Sequence, residues 1–154
     1  MGRIEDRLVE LGRELPPPPQ PLATYVPVVL SGSLAFVSGQ TPMSSGAPLF
    51  TGHVGAEVTV GQAREAAGQC ALQALSALRE ALGDLERIRR IVSVTVFVAS
   101  APGFTEQPLV ANGASDLLVE ILADAGRHSR AAIGVSELPL GVPVEVSLIA
   151  EIVA

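Results

Sequence analysis

The chain has 154 residues, 48% hydrophobic and 17% charged, which predicts one domain by the prior of roughly 100–200 residues each and excludes disorder. Its net charge is −6, with ten arginines and no lysine. That excludes a Schiff-base lysine, a pyridoxal-phosphate anchor and a Walker-type phosphate loop, and with 3% aromatics it predicts no nucleic-acid partner, because such proteins carry basic patches or stacking rings.

Ile4, Leu8, Leu11 and Leu15 recur at helical spacing and predict an amphipathic helix over Arg3–Leu15. The acidic, polar start does not read as a signal peptide. Pro16 to Pro19 end the helix and predict a polyproline spacer, read as a rigid tether rather than a ligand for a proline-recognising domain. Residues 1–20 thus form a helix and spacer ahead of a single domain, 21–154.

Thr24–Leu30 and Leu34–Gln40 read as strands around a Ser31-Gly32 turn, which places Leu30 opposite Ser33 and Tyr25 opposite Ser38. Residues 41–56 read as a long surface loop. Thr59-Val60-Gly61-Gln62 fits a capping box. The helix behind it carries Ala63, Ala67, Cys70, Ala74, Leu78 and Ala81 on one apolar stripe and stops at Gly83.

Ile88–Ser100 predicts a long strand, with Val92, Val94, Val96 and Val98 on one face and Ser93, Thr95 and Phe97 on the other. A second helix runs from about Gln107 to Ala125, with Val110, Ala114, Leu117, Ile121 and Ala125 inward and Gly126 closing it. Ser129–Val135 and Val142–Val153 predict the last two strands. Arg87, Arg89 and Arg90 read as a solvated turn. Two long helices on one face of a mixed sheet make an α+β layer fold. No apolar stretch reaches the ~20 residues of a membrane helix. Cys70 is the lone cysteine and reads as a core residue, which fits a reducing, cytoplasmic compartment.

No metal ligand pattern is visible. His53 and His128 stand outside any metal-binding spacing and read as exposed loop residues. What remains is a small polar set within apolar strands. Arg130 beside Ala131 and Ala132 needs a partner, and its planar fork suits a carboxylate. Glu145, among Val144, Val146 and Leu148, reads as a desolvated acid or base. A hairpin centred between Glu137 and Leu138 makes the two cross-strand neighbours, so a structural ion pair is an equally open reading. Asn112-Gly113 is a polar interruption in a helical segment, simplest as a surface asparagine.

Three segments, in order, carry a family resemblance: Leu34-Ala35-Phe36-Val37-Ser38-Gly39-Gln40-Thr41-Pro42, then Val94-Thr95-Val96-Phe97-Val98, then Arg130–Val135 with Leu138-Pro139 and Val144-Glu145-Val146. From about Tyr25 to the C-terminus the chain resembles the Rid (YjgF-type) reactive-intermediate deaminases, often labelled "endoribonuclease L-PSP". The N-terminal helix, the proline spacer and a longer loop at 101–109 suggest a distinct branch.

The resemblance implies a chorismate-mutase-like two-layer fold, a homotrimer with clefts between subunits, and cofactor-free hydrolysis of enamines and imines to 2-oxo acids and ammonia. Arg130 then matches the substrate-carboxylate arginine and Glu145 the water-positioning glutamate. Tyr25, Ser38, Gly39 and Asn112 match cleft positions. The chain departs from many members at Ala132, where a cysteine is common, and at Ser147, where a second glutamate is common. Two other readings follow from the same residues: non-catalytic binding of a small carboxylate metabolite, and the ribonuclease of the older label.

Overall fold

Two long helices rich in alanine and leucine lie against one face of a mixed sheet, as the alternation of buried and open strand positions requires. In this computed structural model, which describes residues 2–20 and 23–154, the elements run α1 (Arg3–Glu10), β1 (Val28–Ser31), β2 (Leu34–Gln40), β3 (Met43–Ser44), β4 (Ala47–Pro48), α2 (Val60–Leu82), β5 (Ile88–Ala99), α3 (Gln107–Leu122), β6 (Ser129–Val135) and β7 (Val144–Ile152). The expected boundary at 20/21 borders residues 21–22, which lie outside the described residues. The sheet order is β1-β2-β7-β5-β6. β5 and β6 run parallel across the α3 crossover, and the other neighbours are antiparallel. This is the chorismate-mutase-like α+β architecture that the family resemblance implies. Among the described residues no helix is long and apolar enough to cross a membrane.

Helix α2 starts on the expected capping box, with Thr59 accepting from the Gln62 amide, and ends on Gly83 in the left-handed region. Its stripe from Ala63 to Leu78 is buried, but Ala81 is exposed and Leu82 takes the inward place. Helices α2 and α3 cross where both backbones are bare: a Cβ on Gly113 would collide with the Arg64 carbonyl, and one on Gly68 would meet the Gly113 oxygen at 3.4 Å. The Asn112-Gly113 interruption is therefore a helix contact.

Several boundaries differ from expectation for local reasons. Helix α1 stops at Glu10 rather than Leu15, because Gly12 adopts a positive φ and the Gly12 and Arg13 amides return to Val9 and Leu8. That is a Schellman stop. Ile4 and Leu8 of α1 are nonetheless buried in the common core. Helix α3 ends at Leu122 and tightens into a 3₁₀ turn over Ala123–Gly126, where Ala125 is only partly buried.

Strand β1 begins at Val28, after Pro27, which has no N–H for the ladder. The turn centres on Gly32-Ser33, so Ser31 pairs with Leu34 and Leu30 with Ala35. A positive φ at Gly32 suits a two-residue hairpin with glycine first. Tyr25 therefore does not face Ser38, whose amide donates to the Pro27 carbonyl. The expected loop over 41–56 contains the small β3–β4 hairpin.

On β5 the register slips by one residue between Ile91 and Ser93. Val92 becomes the bulged residue and is 37% exposed, while Ile91 takes the buried side with Val94, Val96 and Val98. The face away from the helices stays open. Its central row runs Val29, Phe36, Ile149, Ser93, Ser129 across all five strands.

Candidate active site

Glu145 and Arg130 do not meet within one chain. The expected hairpin between the last two strands is absent, because β5 lies between β6 and β7. The long, cleanly alternating β7 takes the sheet's centre, while β6 pairs in parallel with β5. Paired residues share a face. Glu145 pairs with Phe97 on the open side, and Arg130 pairs with the buried Val94 on the helix side. Two strand spacings, ~10 Å, also separate their strands. A structural ion pair between them is therefore excluded in one protomer.

Glu145 is placed by a bulge. Between Val37 and Gln40, β2 carries one residue more than β7, and the irregularity falls on Ser38-Gly39. A Cβ on Gly39 would come within 2.9 Å of the Glu145 carboxyl carbon, so glycine leaves the space that the carboxyl group occupies. Burial raises the Glu145 pKa above the ordinary glutamate value, because desolvation disfavours the charged form. Glu145, Gly39, Gln40 and Tyr25 line a cleft of about 580 Å³ together with the proline segment 16–19, Pro139 and Leu140. Tyr25 is exposed on its wall. Ser38 shapes the floor differently from a cleft hydroxyl: its Oγ donates to the Val26 carbonyl at 2.8 Å, holding the segment after Tyr25 against β2.

Arg130 stands at the other edge of the sheet. Its Nη1 donates to Asn112 Oδ1 at 2.8 Å and to Ser115 Oγ at 3.2 Å. Behind it, His128 Nδ1 donates to the Gly126 carbonyl at 2.6 Å, which leaves Nε2 to accept from Ser115 Oγ at 2.9 Å. This hydrogen-bond chain orients the guanidinium, and Arg130 has no carboxylate partner among the described residues. Its Nε and Nη2 donors make no hydrogen bond to the described residues, a fork suited to a carboxylate. Asn112 and Arg130 are thus brought together by a direct hydrogen bond. Ser115 was not singled out, and His128, read as an exposed loop residue, is half-buried behind it; the signal for Ser115 was its spacing of three from Asn112 on one helix face.

His53 is a brace rather than a free loop residue. Its Nε2 donates to the Ser136 carbonyl at 2.8 Å, with Glu57 and Glu137 beside the ring. The Ser136 bond first, then Glu57, raises its pKa. Together with the Gly52 amide donating to the Gly141 carbonyl, it holds the loop that carries Pro139 and Leu140. Cys70 is fully buried, and burial pushes its thiol pKa well up. Ala132 packs against the core, and Ser147 lies on the open face opposite Thr95.

The profile of the family described as "YjgF/chorismate mutase-like, putative endoribonuclease" matches residues 5–152. The chain belongs to this family. The match begins within α1, some twenty residues before Tyr25, where the resemblance read from the sequence begins. A curated relative, Protein TCP17 of Trypanosoma cruzi, is 46% identical over 152 residues, covering 98% of this chain and 95% of its own length. Among solved structures, Atu1372 of Agrobacterium tumefaciens, described as of unknown function, is 49% identical with a TM-score of 0.93, covering 98% of this chain and 93% of its own. A Shewanella oneidensis protein described as a putative endoribonuclease is 38% identical with a TM-score of 0.94, covering 97% and 99%.

Proposed function

We propose that this YjgF-family chain hydrolyses small 2-imino and enamine acids to 2-oxo acids and ammonia, without a cofactor, in clefts completed by a second copy of itself. The observation that carries the reading is Glu145: a carboxylate of raised proton affinity, set in a glycine-cleared bulge on the floor of a cleft. A general base serves best with a pKa moved toward the working pH.

In the proposed step, Glu145 takes a proton from water as the water oxygen attacks C2 of the imine. The C=N electron pair moves to nitrogen, giving a tetrahedral carbinolamine. Glu145 returns that proton to nitrogen, then takes the hydroxyl proton and passes it to the same nitrogen, so that the O–H bonding pair closes the C2 carbonyl as the C–N bond breaks and ammonia leaves. Arg130 of a neighbouring copy holds the substrate carboxylate through its unused fork, with Asn112 fixing the guanidinium, and Tyr25, Ser38 and Gly39 shape the opposite wall. Positioning of this kind lowers the barrier without new chemistry. Two features support an oligomer, which we take to be the homotrimer that the family resemblance implies. The halves of the site lie on opposite faces of one sheet, and the open face presents Val29, Phe36 and Ile133 as exposed apolar side chains.

The test is ammonia release from freshly generated 2-iminopropanoate. The wild-type chain accelerates it over buffer, and Arg130→Ala loses about 100-fold in kcat/KM with unchanged oligomeric mass. Activity equal to wild type in that variant overturns the mechanism. Retention of a 2-oxo acid with no turnover leaves a binding module, and Arg130-dependent cleavage of RNA by contaminant-free protein leaves a nuclease.

A further inference from the structure

Resting on the reading above, we propose that the proline segment Pro16–Pro19 is the wall of a side-chain subsite that selects 2-imino acids with bulky apolar side chains. The segment runs across the cleft that contains Glu145, Tyr25 and Gly39 and lines it with Gln20. It is fastened at its start: Ser76, buried on α2, donates its Oγ to the Pro16 carbonyl at 2.6 Å. Leu11 and Leu15 pack against the core just before it, so the anchor extends from α1 into the strap. On its other side, Pro18 and Pro19 border a separate hollow of about 190 Å³ against Ala77, Glu80 and Ala81 of α2. The strap is therefore a thin partition that faces the cleft, not a filler of the core.

Its chemistry suits an apolar group. Proline contributes no N–H, so consecutive prolines offer rings and carbonyls but no donor to a substrate. Their fixed φ leaves little backbone freedom to lose when a ligand arrives. Pro139 and Leu140 line the same cleft, with Leu140 68% exposed. An exposed leucine and a run of prolines thus give one cleft its apolar lining beside a single carboxylate. The volume agrees: about 580 Å³ lies in the range of about 300–1,000 Å³ that suits ligands much larger than a three-carbon acid.

The experiment compares binding of two stable product acids, pyruvate and 4-methyl-2-oxopentanoate, by calorimetry on the full-length protein. Variants are the triple Pro17→Gly/Pro18→Gly/Pro19→Gly and the single Ser76→Ala, which removes only the latch and keeps the test alive where the triple variant does not fold. Wild type binds the branched acid more tightly than pyruvate. The strap variants weaken the branched acid by about tenfold, the usual size when an apolar side chain no longer meets its pocket wall, and leave pyruvate within about twofold. Equal losses for both acids, no loss for either, or no binding to wild type overturn the proposal. Ammonia release is scored separately. A chain with this binding pattern and no turnover loses the deaminase reading and keeps the strap, while an active deaminase with an unmoved ratio loses only the strap.

Discussion

Glu145 and Arg130 are each a charged residue in an otherwise apolar strand, and their surroundings treat them differently. Around Glu145 the chain supplies bare space and low polarity: a bulge, a glycine without a Cβ, and prolines along the cleft. Around Arg130 it supplies neutral hydrogen-bond partners, Asn112 and Ser115, with His128 behind them. The first environment tunes proton affinity; the second tunes orientation and leaves the charge intact. In the proposed hydrolysis neither half acts alone, so the difference between them becomes a division of labour between two copies of the chain.

The largest effect comes from splitting the halves between subunits. Glu145→Gln removes the base and is expected to lower kcat by about 10²–10⁴-fold, and Arg130→Ala removes the clamp. Mixing the two inactive variants under conditions that exchange subunits restores activity, to about a quarter of wild type for random closed rings in which each site takes one residue from each neighbour. A mixture as inactive as its components places both residues in one protomer's site and breaks the division. Glu145 also has a signature independent of turnover. Its pKa is raised, so the folded state holds the proton more tightly than the unfolded chain. Stability from this group is present at low pH and falls as pH rises from the ordinary value of 4.5 through the raised one. Urea melts of Glu145→Gln and wild type therefore coincide most closely in acid and diverge in favour of glutamine as pH rises. Activity moves the other way in wild type, increasing as the base ionises.

Two glycines sharpen the comparison, one in each half. Gly39→Ala presses a Cβ against the end of a flexible side chain. The carboxyl group swings aside at little cost in stability, and kcat falls about 10²-fold through misplacement while the melting curve barely moves. Gly113→Ala meets backbone instead, at Arg64. It pries α3 from α2, costs about 1–3 kcal/mol as overpacking does, and carries Asn112 and Ser115 away from Arg130. Chemical denaturation separates the two: a stability loss at position 39, or none at 113, contradicts the packing described.

The helices and the long strands were legible because their signals are local and periodic. Thr59 and Gly83 bound α2, and the valine run from 94 to 98 marks β5. What was not legible depends on partners distant in sequence. Val92 alternates correctly with its neighbours, yet a bulge set by β7 turns it outward. The proximity of Arg130 and Glu145 failed for the same reason: pairing between the last strands is the short-range choice, and only the competition of β5 for both neighbours overrides it. Asn112 was a cleft position only through the resemblance, and its bond to Arg130, like the parts of Ser115 and His128, needed the hydrogen-bond chain itself. Gly113, read as an interruption, is a close contact whose cause lies on another helix.

The smallest effect is at the rim of the Glu145 half. Leu140 has φ 61°, in the left-handed region, beside Pro139 and the loop braced by His53. A non-glycine residue there is strained by about 1–2 kcal/mol, and at 68% exposure its side chain recovers little through burial. Leu140→Gly relieves the strain but gives the unfolded chain more freedom, and the two nearly cancel, leaving a change in stability within about 1 kcal/mol. Its expected influence on binding is one-sided, because the leucine and the prolines line the same cleft and Arg130 does not. The glycine variant binds pyruvate as wild type does and binds 4-methyl-2-oxopentanoate several-fold more weakly. An equal loss for both acids would show that Leu140 serves the reacting end of the cleft, and that its strain is held for positioning Glu145 rather than for receiving a side chain.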